Sequence, residues 1–221
     1  MDKGLTPYLL TIAPIIMFIG FALAPETDDL RGQEYLDELK SADTNTFLIS
    51  SALIIVGMTS VIGSFFLLTQ DMMAKSNKTQ QDLLMLSRIA FVIPLICFTI
   101  GVGTEAEMHW ILTEGDDDMT AEEENALALD VLTISQNVWG AFPIGLGFAL
   151  MLVGGAGLIG KDLSANRNDL VFGVPLVIGI GAFTAMWTNA WFFLMISIFT
   201  GMPIGIMMLM GKLDSLYNEE A

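Results

Sequence analysis

Apolar residues run through this chain in blocks of about twenty, not in stripes or in strict alternation. A helix of that length crosses the hydrocarbon of a bilayer, where lipid cannot satisfy a free backbone N–H or C=O. Six blocks qualify: roughly 8–24, 46–69, 83–103, 138–160, 170–187 and 191–211. The fifth is short and Gly-rich, and the turn from it into the sixth is very tight. Between blocks the pattern changes. In 25–45, the run Gln33 to Ser41 sets Leu36 and Leu39 on one side among acids, which predicts a short surface helix. In 104–137, Thr120 and Glu123 make an S/T-x-x-E capping box. Leu127, Val131, Ile134 and Val138 follow at helical spacing, so one helix is expected from about residue 121 into the fourth block. "ILTEGDDDM" (111–119) reads as a turn, and "AKSNKTQQD" (74–82) and "KDLSANRND" (161–169) as short polar linkers. The expected fold is all-α: a polytopic six-transmembrane-helix bundle forming a single integral membrane domain over 1–221.

Composition strengthens this reading. Of 221 residues, 53% are hydrophobic and 15% charged, and the mean hydropathy is +0.63; a soluble domain carries about a quarter charged residues. One cysteine, Cys97, excludes a disulfide framework, and one histidine, His109, excludes chemistry that needs two imidazoles. A net charge of −16 argues against nucleic acid as a partner, since phosphate binding needs clustered Lys and Arg.

The distribution of charge sets an orientation. Cytoplasmic loops are enriched in Lys and Arg. With the N-terminus inside, seven of the nine basic residues are cytoplasmic: Lys3, Lys75, Lys78, Arg88, Lys161, Arg167 and Lys212. Arg88 lies inside the third block but near its start, where a long side chain can snorkel to the interface. Residues 25–45 and 104–137 then form an acidic extracytoplasmic cap, with 17 acids against Arg31 and Lys40. Trp110, Trp139, Trp187 and Trp191 all fall at the outer boundary in this arrangement, where amphipathic indoles anchor. The expectation is therefore a plasma-membrane protein with both termini cytoplasmic. Residues 1–24 could be read as a secretory signal ending in Ala-Leu-Ala at 22–24. The lone Lys beside an Asp, and Pro25 directly after the would-be cut, favour a retained helix.

Candidate chemistry is sparse. No Asp, Glu, Lys, Arg or His lies near the centre of any block, which leaves no Schiff-base lysine for retinal, no ligands for haem or copper between helices, and none of the usual proton-relay groups. Glu105, Glu107 and His109, with Glu114 and Asp116 nearby, could hold a divalent cation, although their spacing fits no known loop and a solvated acidic face is the plainer reading. No other cofactor is expected beyond cations loosely held at the acidic face, and that acidity suggests a saline (halophilic or marine) setting. "GGAGLIGK" (154–161) departs from a phosphate loop because Asp162 follows Lys161. Small-x-x-x-small pairs at Ala141/Gly145, Gly181/Ala185 and Gly201/Gly205 are candidate helix-packing surfaces. Pro143, Pro175 and Pro203 interrupt the last three blocks, which reads either as tight packing or as a discontinuous helix at a solute site. The hydroxyls that could line such a path are Thr59, Ser60, Ser64, Thr99, Thr184, Ser197 and Thr200, with Asn189 beside them.

The layout resembles a family of prokaryotic six-span membrane proteins of unknown function. The likeness rests on the acidic helix after the first span ("EYLDELKSADTNTFLISSALI", 34–54), the Arg-Ile pair opening the third ("SRIAF", 87–91), and the long outer segment leading into a Gly-rich fourth. It implies no activity and no site residues. The residues themselves favour a non-catalytic membrane subunit or assembly partner, with a protein partner or a second copy in the bilayer. The alternatives are a channel or facilitator for an uncharged small solute and, third, a membrane enzyme acting on lipid, for which His109 is the sole candidate histidine.

Overall fold

The computed structural model describes residues 4–27, 30–115, 118–159, 167–188 and 192–213. It is 85% helical, with no strand among the described residues. The helices are α1 (Thr6–Leu23), α2 (Gln33–Ser41), α3 (Thr44–Met73), α4 (Lys78–Thr113), α5 (Ala121–Leu158), α6 (Gly173–Thr188), α7 (Phe192–Ser197) and α8 (Gly201–Leu209). A 3-10 turn over Arg167–Phe172 leads into α6. Six stretches are long and apolar enough to cross a membrane: α1, α3, α4, α5, Asn168–Ala185, and Phe192–Leu209, the last made of α7 and α8 together.

Consecutive spans pack on one another: α1 on α3, α3 on α4, α4 on α5, α5 on α6 and α6 on α7, while α8 returns to close against α1. The main core lies along this ring, with Met17, Met58, Phe65, Phe91, Phe98 and Leu150 fully buried. On the outside of α4, Ile89, Val92, Ile93, Ile96 and Ile100 form an exposed ridge at helical spacing. Water would penalise such a stripe; lipid does not.

The helix starts follow local hydrogen-bond chemistry. Asp43 caps α3 by accepting from the Thr46 N–H at 2.9 Å and its hydroxyl at 2.8 Å. Thr120 and Glu123 form the capping box at the start of α5 that the sequence calls for. A second box, Asn77 with Gln80, opens α4. Gln80 is buried, and its amide also donates to the Ala156 and Ile159 carbonyls, at 3.2 and 2.7 Å. One side chain therefore starts α4 and terminates α5.

Three features add to or refine the sequence reading. First, α4 does not end near residue 103 but continues to Thr113, because no breaker intervenes before Gly115, which adopts φ +67°. Second, α4 and α5, with 36 and 38 residues, run about 54 and 57 Å at 1.5 Å per residue, well beyond a hydrocarbon layer of about 30 Å. Their projecting ends hold α2 through a separate small core of Leu36, Leu39, Phe47, Met108, Leu112, Ala128, Val131 and Leu132. Paired Gln33–Asn125 amide bonds at 2.7 and 3.0 Å tie α2 to α5 at the same place. Third, the sixth span is broken. Residues Ile198–Thr200 form turns with i→i+3 bonds, including Met202 N–H to the Phe199 carbonyl at 3.0 Å. Pro203 explains the position: it lacks an N–H and its ring displaces the carbonyl four residues earlier, that of Phe199. Pro14, Pro94 and Pro143 sit inside helices that continue through them.

Candidate functional site

A cavity of about 720 Å³ lies at the base of the projecting end, between α1, α2, α3, α4 and α5. Its walls include Phe18 and Phe21 from α1, Tyr35 from α2, Phe47 and Ser51 from α3, Glu105 from α4 and Trp139 from α5. Glu26, in the connection after α1, also lines it. Among the described lining residues two are carboxylates and none is basic.

Glu105 is the polar centre of this cavity. The extension of α4 past residue 103 carries it beneath α2, where the Tyr35 hydroxyl and the Trp139 indole N–H donate to its carboxylate. Trp139 is held in turn. Its ring meets Phe98 edge-on at 5.3 Å and Phe142 at 5.8 Å, and it lies so close to Gly101 that a Cβ there would come within 2.6 Å of the indole. Trp139, expected at the outer boundary, is half-buried and packed on the core, with its indole N–H donated to Glu105. Trp110 and Trp187 do face outward, 63% and 67% exposed. Trp191 lies outside the described residues.

The candidate metal ligands are not brought together. Glu107 is exposed, whereas His109 is 3% exposed and stacked on Phe47 at 4.5 Å. Both imidazole nitrogens are engaged, Nδ1 with the Leu39 carbonyl at 3.0 Å and Nε2 with the Thr44 hydroxyl at 3.3 Å. Leu39 lies in the last turn of α2, and its carbonyl, which also accepts from the Ala42 N–H at 3.3 Å, takes a second bond from His109. Among the described residues, no three His, Cys, Asp or Glu side chains gather as a metal-holding group. Asp116 lies outside them.

The candidate path-lining hydroxyls are mostly turned onto their own helices. Ser64 donates to Val61, Thr99 to Leu95, Thr184 to Ile180, Ser197 to Leu194 and Thr200 to Ser197, each to a backbone carbonyl. Thr59 is exposed, and Asn189 lies outside the described residues. Of the small-residue pairs, Gly145 meets Ile93 and Pro94 of α4, Gly181 meets the Phe193 ring, Gly201 meets Leu10, and Gly205 meets Leu10, Thr11 and the Pro7 carbonyl. Ala185 is fully buried, while Ala141 is exposed. The closest backbone approaches lie elsewhere. Gly57 faces the Met17 backbone at 2.6 Å, Gly154 the Leu176 N–H at 2.5 Å, and Gly147 the Gly179 carbonyl at 2.7 Å, measured from the Cβ each glycine lacks. The seven-residue interval between Gly147 and Gly154 is the sequence signal that could have found the α5–α6 seam.

Searches of protein-family models, curated proteins and solved structures return no match to this chain.

Proposed function

We propose that this chain is a non-catalytic integral membrane subunit or assembly partner. It would lie in the plasma membrane with its termini cytoplasmic and its acidic end extracytoplasmic. The observation that carries the reading is the end built by α2, α4 and α5. Two helices project past the bilayer, α2 is locked across them by His109 and Gln33, and Glu34, Asp37, Glu107, Glu122 and Asp130 remain exposed on the outside. A fixed field of carboxylates at a membrane surface suits a basic protein surface or a second membrane chain, with association weakened by salt. The spans beneath supply close packing surfaces, such as Gly147 and Gly154 of α5 against α6. A photo-crosslinking residue in place of Asp37, activated in native membranes, should give one discrete adduct that fades at high salt. Recovery of the monomer alone under all conditions would refute the proposal.

A facilitator for an uncharged small solute is the second reading, favoured by the break at Ile198–Thr200 beside the cavity-lining α7 residue Met195. The hydroxyls bonded to their own backbones weigh against it, because they offer a passing solute few free partners. Solute flux into vesicles containing the purified chain decides it: flux above that of empty vesicles supports the facilitator.

A further inference from the structure

We infer that the cavity around Glu105 is a binding site for an ammonium group, borne either by a small solute or by a lipid headgroup. This goes beyond the subunit reading and does not depend on it. The carboxylate is fixed by two neutral donors, Tyr35 and Trp139. No Lys or Arg stands among the described lining residues to pair with it. A carboxylate has about four acceptor directions, so two donors leave capacity for an N–H donor or a close cation. Around it stand Phe18, Phe21, Tyr35, Phe47 and Trp139. Rings attract an organic cation through their negative faces and shield it from water, the arrangement that recognises quaternary ammonium groups.

An inorganic cation fits poorly. Divalent ions want about six oxygen ligands, and no three acidic, His or Cys side chains gather here among the described residues. The volume, about 720 Å³, matches a site for a small organic molecule, about 300–1,000 Å³. Access follows from the walls: Glu26 is exposed on the connection after α1, and the lining residues Phe18 of α1 and Met195 of α7 are half-exposed. The cavity thus meets both the interface and the lipid, which is why either source of the ammonium group is admissible.

The test uses the full chain in nanodiscs made only of phosphatidylglycerol, titrated calorimetrically with choline chloride at fixed ionic strength, with empty nanodiscs subtracted. Saturable binding is expected, with the neutral isostere 3,3-dimethylbutan-1-ol weaker by about tenfold or more. Glu105→Gln should weaken choline binding by a similar factor, and Glu107→Gln, on the exposed side of the same helix, should leave it unchanged. If Glu105→Gln does not fold, Ser51→Phe, which fills the cavity from α3, should abolish binding in its place. Adding phosphatidylcholine to the nanodiscs separates the sources: weaker apparent choline affinity assigns the site to a headgroup, and unchanged affinity assigns it to a free solute. Equal binding of choline and its isostere, undiminished binding in the folded cavity variant, or no saturation would overturn the inference.

Discussion

Replacing His109 with alanine should detach α2 without unfolding the bundle. The imidazole makes two hydrogen bonds, to the Leu39 carbonyl and the Thr44 hydroxyl, and stacks on Phe47, all at 3% exposure. The Leu39 carbonyl can only accept, so Nδ1 is the donor in that bond. Each hydrogen bond contributes about 1 kcal/mol net, and the stacked pair about another 1 kcal/mol. The total is about 3 kcal/mol. Against this stand Leu36 and Leu39, whose burial is worth roughly 1.5–3 kcal/mol each, and a nine-residue helix that is marginal by itself. Hydrogen exchange should read the loss directly, because α2 can open as a local unit. At about 1.4 kcal/mol per tenfold, the amides of 33–41 should lose about a hundredfold in protection, while those of 84–100 in α4 keep theirs. His109→Phe retains the stack but loses both bonds, about 2 kcal/mol, and should lose about thirtyfold. Unchanged exchange over 33–41, or an equal loss across α4, would show that His109 is not the latch.

Four other outcomes follow from the same contacts. Gln80→Leu removes half a capping box and leaves the Ala156 and Ile159 carbonyls without their donor, so reversible unfolding in micelles should fall by about 2–4 kcal/mol. Gly147→Ala drives a Cβ into the Phe183 and Gly179 backbone and should destabilise by about 1–3 kcal/mol; Gly155→Ala, which meets open space, should be neutral or stabilising by up to about 1 kcal/mol in the same assay. The Thr46 backbone and hydroxyl hold the Asp43 carboxyl below the usual range, so its stabilising effect is present above the unfolded pKa and is lost as pH falls through the folded one. The melting-temperature gap between the natural chain and Asp43→Ala should therefore be widest near neutrality and close in acid. Finally, mutual repulsion of the exposed carboxylates should make the melting temperature rise from low salt to molar salt; a flat profile would argue against a saline setting.

The spans, the short helix α2 and the Thr120–Glu123 cap are legible because they rest on local chemistry. Helix α2 occupies the residues whose Leu36/Leu39 spacing marks it, and α5 starts at the Thr120–Glu123 box. Other features depended on which side chains meet across the bundle. Trp139 sits near a span boundary like the other three tryptophans, and only the proximity of Gly101 and Glu105 turns it inward. His109 looked like a potential ligand because its neighbours in sequence are acids; its actual partners, Leu39 and Thr44, are about 65 to 70 positions away. The break at Ile198–Thr200 was one of two readings of Pro203, and nothing local distinguishes it from Pro143, where α5 runs on. The cavity has no linear signature at all, since its walls come from several separate helices.

The orientation of this bundle in a living membrane is the most direct test, because the acidic surface can act as proposed only if it faces away from the cytoplasm. Single cysteines in place of Glu122 and of Thr79, exposed at opposite ends, can be placed in a Cys97→Ala background and treated with a membrane-impermeant maleimide on intact cells. Position 122 should label at once, and position 79 only after the membrane is permeabilised. Labelling of position 79 in intact cells, with position 122 protected, would contradict the account.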